Sequence, residues 1–189
     1  TGSIRPANNV KRIVDCADTI GKMGFADKII FLIYGDGTEK LNLEEYCTNN
    51  GIRNVIFKGK VDKNYIPYIL SNSDLNILNY DSRLNLFKYG GSQNKLFEYF
   101  ASGKPVLSTI KMKPDIINKY NCGITVTDNS DKCISDLMLK FFHMPKLEYD
   151  EYCNNAQNAS LDYDFNNLTD KLEKVIKNTL ETKHEYTTY

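Results

Sequence analysis

The chain has 189 residues, 41% of them hydrophobic, and 24 lysines and arginines balance 24 aspartates and glutamates to a formal net charge of zero. That balance leaves no electrostatic footprint for nucleic acid or for an acidic membrane surface. The length suits one domain, with enough chain to bury a core without disulfides or metal.

Thr1 to Arg5 reads as the end of a first strand and its turn, as in a domain excised from a longer protein. Val10, Ile13, Val14, Ala17 and Ile20 then recur at helical spacing behind Asn8 or Asn9 as cap, until Gly21 to Gly24 break the pattern. Ile29 to Tyr34 is an unbroken apolar run stopped by Gly35-Asp36-Gly37, which suits a strand covered on both faces of a parallel sheet. A helix follows over Glu39 to Asn50, closed by Gly51. Asn54 to Lys58 is a strand ending at Gly59-Lys60, and Tyr65 to Ser71 a short helix. Leu75 to Tyr80 is a strand, followed by a polar loop from Asp81 to Gly91. After one more helix, Lys104 to Thr109 is a strand entered through Pro105, Pro114 to Asn121 a helix, and Cys122 to Val126 the last strand. Helices over Lys132 to Phe142, Tyr149 to Ser160 and Phe165 to Leu180 finish the chain. Strands alternating with helices at this pitch predict a parallel sheet with right-handed crossovers. Ligands then bind beyond the carboxyl ends of the strands.

Cys16, Cys47, Cys122, Cys133 and Cys153 are odd in number and form no close pairs, so they read as free thiols in a reducing compartment. No metal cluster is expected. His143 and His184 are isolated from any partner that would make a triad. No apolar run approaches the ~20 residues needed to span a bilayer, and no signal peptide is visible.

The stretch Ser92 to Pro105 organises the rest. It reads as a helix opened by Gly90-Gly91-Ser92, with Ser92 as N-cap, and closed by Gly103 ahead of Pro105. Leu96, Phe97, Phe100 and Ala101 give it an apolar face. Two glycines, free amides and Lys95 at its amino end favour an anion, most readily phosphate. Glu98 lies on the same side as Lys95.

This string, Ser-x-Asn-Lys-Leu-Phe-Glu-Tyr-x-Ala-Ser-Gly-Lys-Pro-Val, resembles the donor-binding segment of retaining glycosyltransferases of the GT-B architecture. The resemblance runs from Thr1 to about Leu180 and covers only the carboxy-terminal half of such an enzyme. It implies a Rossmann-like α/β fold, a parallel sheet with helices on both faces, over residues 1–189 as one nucleotide-sugar-binding domain. An amino-terminal acceptor domain would lie outside this sequence. The implied partner is a nucleotide diphosphate sugar, UDP- or GDP-linked, with no cofactor. The implied setting is surface polysaccharide synthesis in the cytoplasm, with peripheral attachment at the inner membrane face open to the full-length protein.

The same resemblance distributes roles. Gly2-Ser3-Ile4-Arg5 is similar to a glycine-x-x-arginine turn whose arginine reaches the donor diphosphate; the alternative for Arg5 is a solvated side chain beside a cap. Arg5 and Lys95 are the implied catalytic cations, stabilising the leaving diphosphate. Gly2, Gly91, Ser92 and Asn94 would line the phosphates, Glu98 would bind the ribose hydroxyls, and Lys60 would lie where the base sits. Gly35-Asp36-Gly37 is a tight turn before it is a phosphate loop. Many relatives carry a second, upstream glutamate; here its place falls on Gly90, and neither Asp81 nor Lys88 fills it. A nucleotide-sugar epimerase of the same architecture and a non-catalytic nucleotide-binding domain are the alternatives, since one fold hosts many chemistries.

Overall fold

The computed structural model describes residues 1–81, 93–126, 128 and 130–185. The α/β class and the parallel pairing are as expected, but the expected single sheet is two. β1 (Phe31–Tyr34) pairs with β2 (Val55–Gly59), Phe31 opposite Val55. β3 (Asn76–Leu78), β4 (Val106–Ser108) and β5 (Gly123–Thr125) form the second sheet, with Asn76 opposite Val106 and Val106 opposite Gly123. Among the described residues no strand joins β1 to β3, and a slot of about 790 Å³ lies between their edges. Thr1 to Ile4 is not a strand of either sheet, and Gly2 within it takes a positive φ of 123°.

Two cores flank the strands, and β4 shows why. Val106 belongs to one core and its neighbour Leu107 to the other, because successive strand side chains point to opposite faces. The first core gathers Leu78, Leu96, Phe100 and Ile117 with Ala156 and Ala159. It is built by helices α3 (Ile66–Ser71), α4 (Asn94–Ala101), α5 (Ile116–Tyr120) and α7 (Lys146–Asp162). The second joins Phe31 and Val55 to α1 (Val10–Ile20), α2 (Lys40–Asn49) and α6 (Asp131–Phe142) through Val14, Ala17, Cys47 and Ile134. Asn54, buried at the entry to β2, donates through Nδ2 to the Ala17 carbonyl at 2.9 Å, so its polar side chain is satisfied and α1 is held to the sheet. The five cysteines are free thiols, with Cys16, Cys47 and Cys122 buried.

Several expectations shift. The apolar run in β1 is not covered on both faces: Phe31 is buried, but Leu32 is 46% and Ile30 47% exposed, because both open into the slot. The organising helix is capped at Gln93 rather than Ser92, and Gly103, at φ 64°, closes it as expected. Ahead of α1, Asn9 takes the left-handed conformation at φ 44°, and its carbonyl receives the Arg12 amide at 3.1 Å. α7 begins three residues earlier than the pattern indicated. The last helix, α8 (Phe165–Glu185), carries exposed Phe165, Leu172 and Val175. No helix among the described residues is long and apolar enough to cross a membrane.

Candidate functional site

The carboxyl ends of the strands carry a row of glycine turns. The Gly35 amide donates to the Gly59 carbonyl at 2.7 Å, the Gly2 amide to Tyr34 at 2.8 Å, and the Ile4 amide to Asp36 at 2.9 Å. The backbones pack so closely that a Cβ on Gly35 would lie 1.7 Å from the Gly2 oxygen. Gly35-Asp36-Gly37 therefore needs its glycines for backbone approach, which is the turn reading of that motif.

Beyond Gly2 the chain crosses to the second sheet. Arg5 precedes a single 3₁₀ turn, Pro6–Asn8, which is fastened on both sides. The Asp81 amide donates to the Ala7 carbonyl at 2.9 Å, and Asn79 Nδ2 donates to the Asn8 and Asn9 carbonyls at 2.6 and 2.8 Å. Thr109 Oγ1 donates in turn to Asn79 Oδ1 at 2.7 Å, fixing the amide's orientation. Arg5 thus projects, exposed, from an anchored loop.

Lys95 stands in the first turn of α4 and reaches back over Gly2. A Cβ on Gly2 would lie 2.5 Å from Lys95 Nζ, so the glycine makes room for the ammonium. Nζ lies 5.6 Å from the centre of the Tyr80 ring, and the Tyr80 hydroxyl donates to Gln93 Oε1 at 2.7 Å, steadying the residue that caps the helix. Burial pushes the Lys95 pKa below the ordinary 10.5, and the charge of Glu98 opposes the shift. A partly desolvated cation at a helix amino end, beside a bare glycine backbone, is an arrangement that favours an anion.

That environment has a pH signature. Below the folded-state pKa of Lys95 both folded and unfolded chains are protonated, and folding bears the whole cost of burying the charge. As pH rises towards 10.5 the folded state sheds the proton first, and the cost fades. Lys95→Met should therefore be more stable than the parent at neutral pH, by a margin that narrows as pH approaches 10.5. Urea unfolding of both chains across that range measures it; a margin that does not change with pH would contradict the desolvation of Lys95.

The other expected residues are dispersed. Glu98 is exposed, and no ion pair joins it to Lys95. It lies instead on the rim of a depression of about 520 Å³ between α3 and α4, beside Ile66, Pro67 and Tyr68. Asn94 is exposed at the start of α4. Lys60 is exposed just past β2, on the far side of β1 from Gly2, so it is not brought to Lys95. Gly91 and Ser92, with Gly90 and Lys88, fall outside the described residues. Sequence reasoning missed Asn79 and Tyr80. Both lie at the end of β3, and the only signal for them was their place at a carboxyl strand end.

The family model for glycosyl transferases group 1 matches residues 1–160. No curated protein matches the chain. Among solved structures, a mutant of TarM from S. aureus, in complex with fondaparinux, alpha-GlcNAc-glycerol and UDP, has 17% identity and a TM-score of 0.72 over 93% of this chain and 34% of that one. Anabaena Alr3699/HepE in complex with UDP has 16% identity and a TM-score of 0.70, covering 96% of this chain and 48% of that one. The C-terminal domain of a glycosyl transferase group 1 family protein (LpcC) from Francisella tularensis has 20% identity and a TM-score of 0.69, covering 87% and 84%. The fold is the Rossmann-like α/β fold of GT-B glycosyltransferases, and the chain spans less than half the length of the first two of these proteins.

Proposed function

The chain belongs to the glycosyl transferases group 1 family, and from that premise we propose that it is the donor-binding half of a retaining glycosyltransferase. It takes a nucleotide diphosphate sugar, and a further amino-terminal domain seats a glycan or lipid-linked acceptor in surface polysaccharide synthesis, in the cytoplasm. The observation that carries this reading is the Lys95 ammonium held against Gly2 at the amino end of α4. That end is where the diphosphate lies. Two of the similar structures hold UDP, which favours a uridine donor over a guanosine one.

In this reading Arg5 and Lys95 meet the negative charge that grows on the leaving diphosphate, a fixed field needing no rearrangement at the moment of reaction. Asn94 offers its backbone amide to the phosphates, as Gly91 and Ser92 are expected to, while Gly2, whose own amide is taken by Tyr34, leaves room beside Lys95. Glu98, at the rim of the depression between α3 and α4, accepts from the two ribose hydroxyls while Ile66 and Tyr68 border the nucleoside. Lys60 lies away from this cluster and makes no phosphate contact.

Glu98 gives the test. Loss of a charged acceptor from two hydroxyls costs on the order of 1.5–3 kcal/mol, roughly 10- to 100-fold in affinity. A 2′-deoxynucleotide has already lost one of those bonds, so Glu98→Ala should weaken it much less. A cycle of two proteins and two ligands, titrated calorimetrically, should show a coupling of about 0.5 kcal/mol or more. Equal losses for UDP and 2′-deoxy-UDP would remove Glu98 from the site. Retention is read directly from the anomeric configuration of the sugar transferred by the full-length enzyme.

A further inference from the structure

The turn that follows Arg5 is not held in place by packing. None of Pro6, Ala7 and Asn8 is buried. It ends on Asn9 in the left-handed region, at φ 44°, a conformation that persists where the surroundings hold it. Its own bonds are local: the Asn8 amide donates to the Arg5 carbonyl at 2.9 Å, the Asn9 amide to Pro6 at 3.0 Å, and Asn8 Nδ2 to the Ser3 carbonyl. These shape the turn without fastening it to the sheet. Two anchors at the end of β3 do that. One is the backbone amide of Asp81, donating to Ala7, and the other is the side chain of Asn79, donating to Asn8 and Asn9.

The Asn79 carboxamide has one workable orientation. The Asn8 and Asn9 carbonyls can only accept, so the nitrogen must face them, and the oxygen must then face a donor. The Thr109 hydroxyl is that donor, at 2.7 Å. Thr109 is itself fixed just past β4: it has no exposed surface, and its amide donates to the Leu78 carbonyl at 2.9 Å. A chain of direct bonds therefore runs from the end of β4, through Asn79, to the loop that carries Arg5. Both hydrogens of Nδ2 are spent on this loop, so Asn79 has no donor left for an anion.

We propose that Asn79, oriented by Thr109, is a positioning residue for Arg5. It makes no contact with the donor, and it holds the backbone from which the guanidinium reaches the leaving diphosphate. A guanidinium meets phosphate best through two parallel N–H bonds, which demand a set direction of approach. A long side chain on a wandering loop meets that demand only part of the time, and affinity falls with that fraction. The inference rests on the donor-site reading of Arg5 and adds to it the device that aims the arginine.

Calorimetric titration of the chain with UDP tests it. Thr109→Val keeps the shape of the side chain and removes the hydroxyl, and Asn79→Leu removes the whole carboxamide. Each should weaken UDP by roughly 3- to 10-fold, a fraction of the roughly 10- to 100-fold that a charged hydrogen bond is worth. Thr109→Ser restores the donor and should bind UDP as the parent does, which a role in packing alone would not give. In an Arg5→Ala background Thr109→Val should cause no further loss, so that the coupling equals the whole effect of the single change. If Asn79→Leu does not fold, Thr109→Val with its serine rescue and its Arg5→Ala background decides the matter. A Thr109→Val loss of the same factor with and without Arg5 overturns the proposal, since Asn79 would then act elsewhere. So does parent affinity in Thr109→Val when Arg5→Ala is weakened, an outcome that leaves the donor-site reading standing. Parent affinity in Arg5→Ala instead removes Arg5 from the donor site, and the inference falls with that reading.

Discussion

Gly35→Ala should destabilise the protein by roughly 2–6 kcal/mol, the sum of about 1–3 for a disfavoured backbone conformation and about 1–3 for overpacking. Gly35 sits at φ 141°, and its Cβ would meet the Gly2 carbonyl, a main-chain atom that no rotamer change can withdraw. Relief requires Gly2 to leave Tyr34, which also moves the floor beneath Lys95. Gly24→Ala is the control: φ is 91° there, but nothing lies within 4 Å of the added carbon, so it bears strain without collision. Urea unfolding of both variants separates the two contributions. If Gly35→Ala costs no more than Gly24→Ala, the close approach of the two turns is not what the glycine serves.

Phe100→Ala should cost about 3–5 kcal/mol, the usual range for emptying a fully buried aromatic site. Phe100 has no exposed surface and stands in the core with Leu96, Val106 and Ile117. It lies on the face of α4 away from solvent, so the same eight-residue helix that carries Lys95 and Glu98 is held down by it. Thermal unfolding should place the midpoint roughly 6–20 °C lower, at about 2–4 °C per kcal/mol. Glu98→Ala, exposed on the same helix, should stay within about 0.5 kcal/mol of the parent. A Phe100→Ala loss as small as that of Glu98→Ala would mean that α4 is not anchored through its apolar face.

Much of the fold was legible because local chemistry and tertiary packing agree. The spacing of Ile13, Val14, Ala17 and Ile20 gave α1, and all four are buried. Gly51 and Gly103 marked helix ends because both take positive φ, where a side chain is disfavoured. Lys95 beside Gly2 was legible as two motifs, although nothing in the spacing of residues 93 positions apart says that they touch. What sequence could not give was contact between elements. Asn79 looks like any strand residue until its amide is seen bridging two carbonyls of the Arg5 loop. The uncovered side of β1 was equally hidden, because a run such as Ile29 to Tyr34 reports the burial it is suited to. Whether a neighbour supplies that burial is a property of the sheet. Lys60 was placed by analogy of position, and the intervening β1 sets it apart from Lys95.

The segment from Gly2 to Asn9 is stitched to the extension of β1 through Tyr34 and Asp36, and to the extension of β3 through Asp81 and Asn79. Mechanically it is a seam. The two halves of the molecule cannot slide past one another without tearing hydrogen bonds along one side of it, so around this segment they open as one cooperative unit. Arg5 rides on the seam itself and Lys95 leans over its first residue. A bound anion gripped by both would therefore act as a rivet, raising the free energy of opening by an amount set by its concentration and affinity.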